Sequence, residues 1–272
     1  MRRKPEGLWA WILILISAAF LVLMLIAPLA VVLTESLREG LKVFRAAISD
    51  FYAVRALYLT LEVTLVTVIL NTLFGVVAAW ALTRFNFRGK RLLITIIDIP
   101  FAVSPVIAGL IFILTFGRMS ALNPWLQAND IKVVFAIPGI VLATVFVTFP
   151  FVAREIIPVL EARGTEEEEA AVLMGAGLFT IFWRVTFPHL RWALLYSVIL
   201  CTARAMGEFG AVSVVSGRLR GKTLTLPLHV EILYDEYHFG PAFAVASLLV
   251  MAAVVILAAR NLVEWLAKKE RR

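Results

Sequence analysis

In the run Arg204-Ala205-Met206-Gly207-Glu208-Phe209-Gly210-Ala211, two ionisable side chains of opposite sign stand four residues apart inside a largely apolar stretch. On a helix that spacing places Arg204 and Glu208 on one face, where they can neutralise each other. A charge in the middle of a bilayer costs about 3 kcal/mol or more unless it is paired or hydrated, so such a pair either fixes a helix in a bundle or marks the route of a transported ion. Both readings stand on the residues alone. Gly207, Gly210 and Ala211, with Phe209 among them, let another helix approach closely or give a gating helix room to move.

No catalytic set accompanies this pair. His189, His229 and His238 are not spaced as metal ligands, and no paired catalytic groups point to an enzyme. Gly217-Arg218-Leu219-Arg220-Gly221-Lys222-Thr223 has three residues between its glycines, where a phosphate-binding loop needs four. ATP chemistry, if used, therefore falls to another chain. Cys201 is the only cysteine and lies in an apolar run, which suits packing and excludes an intrachain disulfide.

The elements that must position these residues are membrane helices. The 272 residues are 61% hydrophobic with a mean hydropathy of +0.92, well above the roughly half apolar content of a soluble domain. The expectation is an all-α integral membrane protein, a single domain over 1–272. Its spans, about six, lie near 8–33, 56–83, 92–116, 133–151, 192–216 and 241–266, enough in each case for the roughly 20 residues that a bilayer requires. The third holds Pro100, Pro105 and Gly109 and should kink. Glu62 and Asn71 in the second span are expected to make polar contacts between helices. Residues 37–55 suit an interfacial helix.

The net charge of +7 reads as loop topology rather than as affinity for nucleic acid. With both termini inside, fifteen Lys and Arg fall on the cytoplasmic side and nine outside, a bias of the sign expected for that orientation. Arg2, Arg3, Lys4, Lys268, Lys269, Arg271 and Arg272 contribute at the two ends.

Between the fourth and fifth spans lies a polar interruption, residues 165–188. Thr165 with Glu168 gives a capping-box pattern, and Glu166 to Glu169 complement the helix N-terminus. The helix can run only to Gly175-Ala176-Gly177, after which Leu178, Ile181, Phe182 and Val185 recur at helical spacing. Two short helices meeting at a glycine elbow are expected. Their apolar residues Val172, Leu173, Phe179, Phe182 and Trp183 need a surface, on the bundle itself or on a partner.

Glu169-Ala170-Ala171, then Gly175, then Val185-Thr186-Phe187-Pro188 resemble the EAA loop of ABC importer permeases. Val185 and Phe187 stand where that pattern usually has Ile and Leu. The resemblance implies a type I importer fold and a cytoplasmic coupling helix, with Glu169, Ala170, Ala171, Gly175, Val185 and Pro188 contacting an ATPase that binds the ATP and Mg²⁺. Phe87-Arg88-Gly89-Lys90-Arg91, Ser104-Pro105-Val106-Ile107-Ala108-Gly109 and 204–211 are similar to the sulfate and molybdate group. Asn123-Pro124-Trp125-Leu126-Gln127, Thr165 to Glu169 and Thr225 to Tyr234 are similar to its CysW-type subunits. What this implies is a subunit of a sulfate/thiosulfate importer in a bacterial inner membrane. It would work with a second related permease, an ATPase dimer and an extracytoplasmic sulfate-binding protein, and the 204–210 stretch would lie on the pathway or its gate. Two alternatives stay open: a homodimeric molybdate or tungstate permease, and a secondary transporter driven by an ion gradient.

Overall fold

The computed structural model describes residues 8–270, so the charges at 2–4 and 271–272 lie outside the described residues. Among these residues every regular element is helical. The chain opens with α1, Leu8–Arg38, a helix interrupted only by a π-helical turn at Val22–Ile26. The short amphipathic α2 follows at Leu41–Ser49, in the stretch expected to lie at an interface. The Asp50 carboxylate then accepts hydrogen bonds from the Tyr52 and Ala53 amides, 2.9 and 3.3 Å away, and starts α3 at Phe51–Arg84. Satisfying two of the orphan amides of a helix start fixes where the 34-residue α3 begins.

The centre of the bundle is α3 against α7, Ile137–Arg163. Along α3 the buried positions Ala53, Ala56, Thr60, Thr64, Thr67, Asn71, Gly75 and Ala79 form a stripe of small and polar residues at helical spacing. A methyl group on Gly75 would lie 2.7 Å from Val152 Cγ1, so the two helices are as close as a glycine permits. With lipid as apolar as the helix faces, close packing and interhelical hydrogen bonds hold such a pair together. Asn71 Nδ2 donates to Thr148 Oγ1 at 2.7 Å and lies 3.6 Å from Cys201 Sγ. Asn71 is thus an interhelical contact and Cys201 is buried in packing, whereas Glu62 is exposed on the bundle surface.

Helix occupies most of each expected span, but continuity differs from the expectation in three places. The third stretch is two helices, α4 at Lys90–Ala102 and α5 at Pro105–Phe116, bent by 110° rather than merely kinked. Proline disfavours the helical region for the residue before it, and Ser104 sits at φ −57°, ψ 134°. The fourth does not end near 151. α7 runs through Pro150 and Pro158 to Arg163, because a span stops where hydropathy stops whereas a helix stops only where its hydrogen bonds do. The fifth breaks: after α6 (Asn123–Ala128), α7 and the elbow helices α8 (Glu166–Leu173) and α9 (Leu178–Ile181), the helix α10 at Phe187–Met206 stops, and α11 restarts at Gly210–Val215. α12, Leu226–Asp235, and α13, Phe239–Glu270, complete the chain. Among the described residues four helices, α1, α3, α7 and α13, are long and apolar enough to cross a bilayer, with α4 and α5 together a fifth candidate.

The two broken segments pack on each other. A Cβ on Gly210 would lie 2.8 Å from Pro105 Cβ, and one on Gly109 would lie 2.6 Å from the Ala211 carbonyl oxygen. Backbone cannot yield as a flexible side chain can. Gly109→Ala is therefore expected to cost about 2 kcal/mol, the scale of an overpacked core, seen as a lowered thermal midpoint of the detergent-purified protein. An unchanged midpoint would show that α11 shifts freely.

Candidate functional site

The elbow begins at Thr165, but not with the expected capping box. Thr165 Oγ1 donates to Glu169 Oε1 at 2.6 Å, and no side chain caps α8. Glu168 is used elsewhere: it lies 2.7 Å from Arg84 Nε and accepts from Thr186 Oγ1 at 2.6 Å. Arg84 Nη1 also donates to the Leu160 carbonyl at 3.1 Å. One carboxylate and one guanidinium thus join the last turn of α3, the last turns of α7, the elbow and the start of α10. Glu167 Oε2 adds a 2.6 Å contact to His189 Nε2. These partners are 18 to 84 residues apart in sequence, and no local pattern announces them.

α8 closes with a Schellman motif. The Ala176 amide donates to the Ala171 carbonyl at 3.0 Å and the Gly175 amide to Val172 at 2.8 Å, with Gly175 at φ +83°. Gly177, at φ −74°, does not use a glycine's freedom. Beyond the turn, α9 passes through a π-helical turn at Phe182–Thr186 straight into α10, so the elbow is continuous with the fifth segment.

Of the residues expected at the elbow, Ala171 is buried and Val185 half-buried against the bundle, while Glu169, Ala170, Gly175 and Pro188 are exposed. Phe182 packs edge-on to Trp80, ring centroids 5.4 Å apart. The outer face is different. Leu173, Met174 and Phe179 are 89%, 81% and 77% exposed, and Val172, Leu178 and Trp183 lie beside them in sequence, also exposed. The elbow thus turns an apolar face outward while ion pairs hold its inner side.

In the fifth segment Arg204 Nη1 lies 2.6 Å from Glu208 Oε2, and the Glu208 side chain is 2% exposed. Glu208 Oε1 also accepts from the Ala211 amide at 2.9 Å and so caps α11. Of the residues expected on the pathway, Gly207, Glu208 and Phe209 form the break itself, Arg204 lies in the last turn of α10 and Gly210 opens α11. The capping role was not legible, because the four-residue spacing suggested one unbroken helix. A second buttress, Arg154 to Asp98 at 2.7 Å, ties α7 to α4.

At the opposite end of α3 from the elbow, Arg55 Nε donates to the Gly221 carbonyl at 3.3 Å, and Thr60 Oγ1 accepts from the Leu226 amide at 2.7 Å. The loop around the rejected phosphate motif thus packs on the far end of the bundle. Within it a hydrogen bond from Arg220 holds the Glu236 carboxyl below the usual carboxylate range, and burial pushes the His229 imidazole below its ordinary value. Among the described residues no three His, Cys, Asp or Glu side chains gather as metal ligands.

A bundle with several helices long and apolar enough to cross a bilayer, a broken ion-paired segment and an outward apolar elbow has the architecture of a multi-pass membrane protein. The chain belongs to the family of binding-protein-dependent transport system inner membrane components, whose model matches residues 71–272. It is 43% identical over 270 residues to the sulfate transport system permease protein CysW of Escherichia coli K12, covering 99% of this chain and 93% of that one. It is also 35% identical over 245 residues to the sulfate transport system permease protein CysT of the same organism, covering 90% and 88%. The crystal structure of a bacterial alginate ABC transporter in complex with an alginate pentasaccharide-bound periplasmic protein shares the fold, with a TM-score of 0.78 at 14% identity over 95% of this chain and 93% of that one.

Proposed function

We propose that this chain is a permease subunit of an ATP-driven sulfate and thiosulfate importer, forming half of the translocation pathway beside a second, related permease. The observation that carries the reading is the elbow: Leu173, Met174 and Phe179 face outward while Arg84 and Glu168 grip its inner side. Two ATPase copies, which bind ATP and Mg²⁺, would seat on that face from the cytoplasm, with both termini of this chain on the same side. The similarity to two distinct permease proteins of one organism's sulfate transport system supports a heterodimer. The opposite end, with the 217–238 loop, would meet an extracytoplasmic sulfate-binding protein. Closure of the ATPases would pull on residues 169–188 and open a gate at 207–211.

Vesicles holding all subunits test this. Labelled sulfate uptake should stop on ATP depletion at constant proton gradient, and excess thiosulfate should compete. Uptake that outlasts ATP would point to a secondary transporter, and competition by molybdate alone would reassign the substrate. For the pathway, Arg204→Ala is expected to lower sulfate uptake at least tenfold while the ATPase still copurifies. Unchanged uptake would leave the Arg204–Glu208 pair a purely structural link.

A further inference from the structure

We infer that α3, rather than the fifth segment alone, delivers the elbow's motion across the membrane, with Arg84 at its end and Thr60 in its first third as the positioning residues. This rests on the reading of the elbow as the ATPase seat. At the elbow end the Arg84 side chain is 9% exposed and its Glu168 partner 14%, so the pair is shielded from water, and Thr186 and the Leu160 carbonyl fix both partners. Shielded charges in a fixed network hold geometry in a way that exposed pairs do not.

From Arg84 the helix is unbroken for 34 residues, about 50 Å at 1.5 Å per residue. It is locked against α7 at Gly75 and through Asn71 to Thr148. Toward the far end Thr60 accepts the amide of Leu226, the first residue of α12, and Arg55 holds the Gly221 carbonyl. One rod is therefore pinned to the elbow at one end and to the opposite loop at the other. The fifth segment lacks that continuity. It carries a π-helical turn at its entry and a three-residue break at Gly207–Phe209, so a push along it is absorbed where a gate would bend. The two routes then have different tasks: α10 and α11 move the gate, and α3 informs the far loop, at residues 217–226, of the state of the elbow.

The test uses the whole transporter in vesicles and reads sulfate imported per ATP hydrolysed, with ATPase copurification as a control. Arg84→Gln and Thr60→Val should each lower that ratio at least fivefold with the ATPase still bound and still hydrolysing ATP. Because the two anchors act in series, the double variant should be no worse than the poorer single one. Thr186→Val, which removes only a hydroxyl from the Glu168 network, should give a smaller drop of the same kind and stands in if Arg84→Gln does not assemble. Wild-type ratios in the single variants, or losses that multiply in the double, would overturn the inference. Failure of the seat itself would look different: wild-type uptake would not depend on ATP, or the ATPase would not copurify.

Discussion

Gly175→Pro is expected to abolish ATP-driven uptake and to release the ATPase. Proline fixes φ near −65°, whereas Gly175 sits at +83°, so the substituted chain cannot make the turn that ends α8. The lost amide is also the one that donates to Val172 at 2.8 Å, half of the Schellman pair. A cost of about 3 kcal/mol or more falls on an eight-residue helix with little packing of its own, enough to unseat it. The apolar residues Leu173 and Met174, immediately before the turn, would then lose their common orientation. Gly175→Ala should be milder, about 1 kcal/mol, because a left-handed φ is strained for alanine but its methyl meets open space. Gly177→Ala should change nothing, since its φ of −74° suits any residue. Uptake and ATPase retention by membranes carrying each variant read the series. An intact Gly175→Pro protein would remove the elbow from the mechanism.

The second large effect is expected at Glu208. Its carboxylate does two jobs, neutralising Arg204 at 2.6 Å and capping α11 through the Ala211 amide at 2.9 Å. Glu208→Ala leaves a guanidinium without its partner and an amide without its acceptor, in a site where Glu208 is almost wholly buried. Breaking a buried pair on one side costs about 3–5 kcal/mol. With Arg204 one third exposed, the lower end applies, about 3 kcal/mol. The purified protein should lose several degrees of thermal midpoint and transport should fail with it. Glu208→Gln keeps an oxygen for the Ala211 amide and gives up the charge, so it should fall between the two. Equal stability of the alanine variant and the wild type would show that neither contact matters.

Much of this molecule was readable before any coordinates. Hydropathy marked the long apolar helices, because twenty apolar residues in a row have few stable places except a bilayer. The acidic run Glu166 to Glu169 and the stop at Gly175 marked the elbow, since a helix start and a glycine stop are local signals set by backbone chemistry. The spacing of Arg204 and Glu208 gave their pairing for the same reason. What it could not give was the fate of a helix where hydropathy and hydrogen bonding disagree. α7 continues through Pro150 and Pro158 past the expected end near 151, and the fifth segment breaks at a glutamate that looked like the middle of a helix.

Only the tertiary structure decided which residues hold the elbow and to what. Arg84 and Glu168 are 84 positions apart, and Asn71 and Thr148 are 77 apart. No periodicity links them; α3 and α7 pack along a stripe of small residues that sets Asn71 beside Thr148, and the end of α3 then meets Glu168 on α8. Sequence determines this chain's local periods and its stops, which are energies of neighbouring residues. Contacts between distant residues depend on how the whole bundle closes, and that closure decided what anchors the elbow.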